Sequence, residues 1–269
     1  MNTAAFAVNL AATAGAALAV MLAALAVALR TGRHRGVDTA WGLAFTAVAL
    51  TGYGLSAGYG DDGRRLLATA LTTLWGLRLS AHIARRARGT GEDPRYARML
   101  ARKPPGRART LYAVRMVHLL QAGLVWFVSL PVQAAQYLPG APGPLAWAGT
   151  AVWAVGLFFE AVGDLQLSRF KADPANRGRV MDRGLWAWTR HPNYFGDACV
   201  WWGLFLLAAD APIGWAFVGS PLLMTWLLAF GSGKPMLERQ MGSDKPGWAE
   251  YAARTSGFVP LPPRRRTVR

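Results

Sequence analysis

Cysteine is almost missing from this sequence. Cys199 stands alone, which excludes an intrachain disulfide and any cysteine-based metal cluster. Charge is scarce as well: Asp, Glu, Lys and Arg make up 16% of the 269 residues, and the 14 acids are outnumbered by 30 bases. Few charges argue against an ordinary soluble surface. Several enzyme fingerprints are also lacking: there is no GxSxG, no HExxH and no Walker sequence. The glycines of Gly52–Gly60 include a GYG, but they follow no strand, so they form no dinucleotide fingerprint; small residues there suit close helix packing. No internal repeat is visible.

What is present is apolar. Hydrophobic residues are 53% of the chain, with 12 Trp, and they come in blocks of about twenty residues, the length that crosses a bilayer core as a helix. Candidate spans lie at roughly 4–29, 39–58, 66–84, 114–132, 145–166, 194–209 and 212–231. The first lacks a basic leader and is too long for a signal-peptide core, so it reads as a retained helix. The net charge of +16 would suggest nucleic acid on a soluble chain. Here the bases fill alternate connections: Arg30–Asp38, Arg85–Arg115, Arg169–Arg190 and Lys234–Arg269 are basic. Gly60–Arg65 is balanced, Gln133–Gly143 is uncharged and the turn at Asp210 is acidic. Together with the absence of any groove-binding motif, this pattern gives membrane lipids, and no nucleic acid, as partners. The expected fold is all-α, a polytopic bundle of about seven transmembrane helices in the inner membrane, with the N-terminus outside and the C-terminus cytoplasmic. It reads as one membrane domain: N-terminal helices over 1–132 on the lipid-substrate side, a cofactor-binding half over 145–263, and a basic tail over 264–269.

Three constellations carry polar chemistry. Thr189-Arg-His-Pro-Asn193 runs straight into an apolar helix, with Pro192 suited to its first turn and His191 near the cap. A helix N-terminus flanked by Arg190 and His191 suits an anion, and Asn193 and Asp197 share one face behind it. The plainer alternative is a helix end anchored in headgroups. On the fifth span Glu160, Asp164 and Lys171 fall within about 40° of one another around the helix, with Arg169 beside them. Acids at that depth suit a polar cavity, in which a carboxylate holds ribose hydroxyls and the cations hold phosphates; an ion-pair network is the structural alternative. The third span carries Trp75, Arg78 and His82, followed by GEDPRY at Gly91–Tyr96. Arg78 lies inside an apolar run and needs a partner. Glu238, Tyr251 and Arg254 in the C-terminal segment either close a cytoplasmic mouth over a ligand or belong to a surface helix. No spacing supports a metal site.

The strings GLWAWTRHPNYFGD, EAVGDLQ, WGLRL, GEDPRY and EYAARTSGFVPLPP resemble the DUF1295 family, over about Leu66 to Pro263. That family is similar to the steroid 5-alpha-reductase-like membrane enzymes, which include sterol reductases and isoprenylcysteine carboxyl methyltransferases. The resemblance implies NADPH as cofactor, held by Asp164, Lys171, Arg190, His191, Asn193 and Asp197, with Glu160, Arg169, Tyr194, Tyr251 and Arg254 around the same pocket. It also implies reduction of a C=C bond in a lipophilic substrate that enters from the bilayer. Steroid 5-alpha-reductases hold the substrate ketone with a glutamate and a tyrosine from early helices. Here the second span has no carboxylate in its apolar core, and Trp75 takes the tyrosine's place. An indole N–H donates a hydrogen bond but delivers no proton at neutral pH. The resemblance therefore implies a different carbonyl, polarised by Arg78, His82 or Tyr53. The superfamily's other reaction, methyl transfer from SAM, and a non-catalytic lipid-binding role are the alternatives.

Overall fold

The computed structural model describes residues 1–264, the side chains of residues 243 and 244 excepted. Past Arg264 the expected basic tail lies outside the described residues. Regular structure among the described residues is helical, and the β contribution is one isolated bridge between Thr189 and Ser256.

The helices begin and end where local chemistry dictates. The first, α1 (Thr3–Thr31), starts under Asn2, whose side chain accepts from the Ala5 amide at 3.0 Å, and stops at Gly32 in the left-handed conformation (φ 67°). Next, α2 (Gly36–Leu55) is preceded by two amides held by a distant side chain, the Glu92 carboxylate, which accepts from Arg35 N at 2.9 Å and from His34 N. Asp61 caps α3 (Asp62–Ala87), and Asp93 with Pro94 opens the short α4 (Pro94–Leu100). A long helical stretch over 107–135 comprises α5 (Arg107–Ala113), a π-helical turn at Val114–Leu119, α6 (Leu120–Val128) and α7 (Leu130–Ala135). The remaining helices are α8 (Pro144–Ala172), α9 (Leu185–Trp188), α10 (Pro192–Ala209), α11 (Gly219–Ala229), α12 (Lys234–Asp244) and α13 (Trp248–Arg254).

Helices therefore cover all seven expected segments. Four helical stretches are long and apolar enough to cross a membrane: Thr3–Thr31, Arg107–Ala135, Pro144–Ala172 and Pro212–Gly242. These mark the chain as a membrane protein.

The chain divides into two compact units, and the division departs from the expected 1–132 and 145–263 halves. One unit comprises Met1–Ala146 and Leu207–Ser220; the other comprises Trp147–Leu206 and the chain from Pro221 onward. Arg64 explains why Leu207–Ser220 belongs with the N-terminal helices. Its guanidinium is buried and donates to Gly140 O, Ala141 O and Leu207 O at 2.6–2.8 Å, and to Asp210 Oδ2 at 2.7 Å. The first unit also contains a buried polar seam. Asn9 Nδ2 and Thr13 Oγ1 donate to Gln133 Oε1, while Gln136 Nε2 donates to Ala49 O and Thr69 Oγ1 at 2.8 Å. Buried hydrogen bonds of this kind fix helix register in an apolar bundle.

In the second unit α8 and α10 cross at glycines. A Cβ on Gly196 would fall 2.5 Å from Gly156 O, and one on Gly203 would fall 2.7 Å from Trp153 N. Gly163, seven residues after Gly156, packs on Pro192. Only small residues permit this approach.

Candidate functional site

The second unit builds its polar centre around the start of α10. Thr189 and Arg190 lie beside the chain after α13: Arg190 N donates to Ser256 O at 2.9 Å, and Thr189 Oγ1 donates to Phe258 O at 2.8 Å. Pro192 then sets the first turn of α10, and His191 O receives the Phe195 amide. The Arg190 side chain reaches across this junction. Its Nε donates to Glu238 Oε1 at 2.8 Å, and its Nη1 donates to Ala252 O at 2.7 Å and Thr255 O at 2.9 Å. The same Glu238 oxygen is 3.0 Å from His191 Nε2. His191 is buried and stacks flat on Tyr194, with ring centroids 5.3 Å apart. Burial lowers its pKa below 6.5 despite the Glu238 contact, which acts in the opposite direction, so the ring is neutral at pH 7.

Within the first turn of the helix, Asn193 Oδ1 accepts from the Tyr194 amide, and Asn193 Nδ2 faces Asp164 Oδ1 at 3.4 Å. Glu160 and Asp164 are both buried on α8, held against α10 by the glycine crossing. Asp197 is half-buried one turn beyond Asn193. These residues form one connected stripe of carboxylate and amide groups next to a neutral imidazole and a phenol ring.

Other expected site residues have different surroundings. Arg169 and Lys171 are exposed at the end of α8. Tyr251 is buried and donates to Trp186 O at 2.6 Å, while Trp186 Nε1 donates to Gly163 O at 3.0 Å. Desolvation raises the Tyr251 pKa, which keeps its phenol protonated. Arg254 pairs with Asp182. Tyr251 thus ties α13 to α9, and Arg254 ties it to the segment before α9.

The expected catalytic residues lie in the first unit and divide into two places. Trp75 is fully buried on α3, edge-on to Phe45 with centroids 5.4 Å apart. Arg78 and His82 are half-buried further along the same helix. Tyr53 lies elsewhere, under the Arg65 guanidinium at 4.8 Å. Thirteen residues of α3 separate Arg65 from Arg78, about 20 Å at the helical rise. The structure therefore does not bring Tyr53 to Arg78 and His82. The GEDPRY residues have structural partners: Glu92 accepts from Arg35 N, Asp93 accepts from Arg95, and Tyr96 Oη and Arg95 donate to Asp38 at 2.5 Å and 2.6 Å. His34 Nδ1 and His118 Nε2 lie 3.3 Å apart at the π-helical turn. No group of three or more His, Cys, Asp or Glu among the described residues could hold a metal ion.

Sequence reasoning missed the glycine crossing, although Gly156–Gly163 and Gly196–Gly203 both show the seven-residue spacing of one helix face. It also missed Glu238 as the carboxylate joining Arg190 to His191, a contact without any sequence spacing to announce it.

Comparison with known proteins gives a consistent family placement. A family model described as "Protein of unknown function (DUF1295)" matches residues 24–255. A curated protein of Schizosaccharomyces pombe, "Uncharacterized protein C594.04c", is 26% identical over 254 residues, covering 83% of this chain and 72% of its own length. No solved structure matches the chain.

Proposed function

We propose, for a chain that belongs to the DUF1295 family, that it is an NADPH-dependent reductase of the steroid 5-alpha-reductase-like kind, acting on a C=C bond of a lipophilic enone-like substrate. The observation that carries this reading is the pair of buried acids Glu160 and Asp164 on α8, met by half-buried Asn193 at the start of α10 and continued outward by cations. A purely structural bundle has little reason to keep two acids deep in an apolar helix. Carboxylate and amide groups at hydrogen-bonding distance suit the hydroxyls and amide of a dinucleotide, and Arg190, Arg169 and Lys171 supply positive charge for its phosphates. The donor set thus fits the cofactor: Glu160, Asp164, Asn193 and Asp197 would hold ribose and amide groups, with Tyr194 and His191 as flat walls. When bound there, NADPH supplies a hydride to the β-carbon of a conjugated C=C bond.

The chain's own residues supply the rest. Arg78 and His82 would donate hydrogen bonds to a substrate carbonyl, which would draw charge from the double bond and make it accept hydride. Trp75 packs as apolar wall. The α-carbon must then gain one proton to complete the saturated product. Seven spans with the N-terminus outside and the C-terminus cytoplasmic would place the α10 junction toward the cytoplasm of the inner membrane, where the soluble cofactor is found. The lipophilic substrate would reach the helices laterally.

A second reading, methyl transfer from SAM, draws on the same acids, because the buried carboxyl groups of Glu160 and Asp164 suit a sulfonium cation. SAM carries no phosphate, so the surrounding cations favour NADPH. The test is oxidation of NADPH, followed by absorbance, with purified protein and a panel of lipophilic enones. Turnover that Asn193→Ala and Asp164→Asn lower at least tenfold supports the reading; no enone-dependent oxidation across the panel, with methyl transfer from SAM instead, refutes it.

A further inference from the structure

Lys234, the first residue of α12, takes part in no ion pair and no hydrogen bond among the described residues, although it is only half-exposed. Its ammonium is packed against a glycine: a Cβ on Gly257 would lie 2.9 Å from Lys234 Nζ. The same Cβ would lie 3.0 Å from Arg190 Nη2. The hydrogen bonds of Arg190 leave from Nε and Nη1, so Nη2 is the edge turned toward Gly257. Two cations therefore converge on one glycine, and next to them is a cavity of about 290 Å³ lined by Arg190, Thr255, Ser256, Gly257 and Arg264. Gly257 is not in the left-handed conformation, so the missing side chain matters there for space rather than for backbone freedom.

Converging like charges are unfavourable unless an anion lies between them. Glu238 Oε1 meets the Nε edge of Arg190 and His191, not the Nη2 edge that faces Gly257 and Lys234. An ammonium and one edge of a guanidinium, with Arg264 in the lining of the adjacent cavity, suit a group with several acceptor oxygens and more than one charge, which a phosphate has and a carboxylate lacks. We propose that Lys234, Arg190 Nη2 and Arg264, spaced by Gly257, form a binding site for a phosphate group, carried either on an anionic lipid headgroup or on a soluble phosphate ester. The proposal rests on these cations and the cavity; it shares Arg190 with the reductase reading, and probes other than NADPH test it apart from that reading.

The test uses the full chain in nanodiscs. In phosphatidylcholine alone, binding of inorganic pyrophosphate is measured by calorimetry. In a second arm, the melting temperature is compared between phosphatidylcholine and phosphatidylcholine with phosphatidic acid. Pyrophosphate binding identifies a soluble source, and stabilisation by phosphatidic acid alone identifies the headgroup. In either case Lys234→Ala is expected to weaken the effect at least tenfold or abolish the shift, and Gly257→Ala, whose methyl would displace both cations, to do the same. The exposed Arg98→Ala is expected to leave it intact. The proposal is overturned if neither probe acts on the wild-type chain, or if Lys234→Ala and Arg98→Ala behave alike. Because Lys234 has no structural bond to lose, the result with Lys234→Ala is decisive even if Gly257→Ala fails to fold.

Discussion

Removing the Glu238 carboxylate should loosen the junction that presents the start of α10. Its Oε1 accepts from Arg190 Nε at 2.8 Å and meets His191 Nε2 at 3.0 Å. The Arg190 and Glu238 side chains are 14% and 21% exposed, so the pair is sheltered but not dry. A hydrogen bond involving a charged group contributes about 1.5–3 kcal/mol. Breaking a fully buried pair costs about 3–5 kcal/mol, and residual solvent trims that here. Arg190 would keep its two bonds to Ala252 O and Thr255 O, which limits the loss further. Glu238→Ala is therefore expected to destabilise the protein by about 3 kcal/mol. Glu238→Gln, which keeps an acceptor oxygen but loses the charge, should cost about 1 kcal/mol. Denaturant titration of the detergent-purified chain, followed by Trp fluorescence, measures both. A change below about 0.5 kcal/mol for Glu238→Ala would show that this carboxylate does not tie the junction together, and would refute the reasoning.

Three further outcomes follow from the same packing. Arg64→Ala should be among the most damaging single changes in the first unit, about 3–5 kcal/mol, because it leaves buried Asp210 and three carbonyls without their donor; a thermal melt close to wild type would contradict it. Gly196→Leu should prevent the α8–α10 approach and lower expression and melting temperature together, whereas the open Gly123→Leu should be tolerated. His191 has a folded-state pKa below the 6.5 of the unfolded chain, so the native state binds fewer protons. Its contribution is complete above pH 6.5 and is lost as pH falls below that value. Melting temperatures should therefore decline between about pH 6.5 and 5 for wild type and stay flatter for His191→Gln; identical profiles would count against the buried neutral ring.

The sequence made the helices legible because bilayer-length apolar blocks and alternating basic connections are strong one-dimensional signals, and helices lie over every block. The three-turn stripe on α8 and the polar entry to α10 were each visible as periodic features, but only the family resemblance put Asp164 and Asn193 in one pocket; they lie 3.4 Å apart. Partner choice was not legible. Arg190 read as a free anion-binding cation, yet the structure commits Nε and Nη1 to Glu238 and two carbonyls, contacts made 48 to 65 residues away. Asp210 read as an acidic surface turn, whereas it pairs with Arg64 across 146 residues. The placement of Leu207–Ser220 with the N-terminal helices depends on that pair and could not be seen in hydropathy.

The most direct test of the central claim is calorimetric titration of the purified full chain with NADPH and, separately, with SAM. The account predicts micromolar NADPH binding, weakened at least tenfold by Asn193→Ala, and none of SAM. Binding of SAM alone, or of neither ligand to a folded protein, would contradict it.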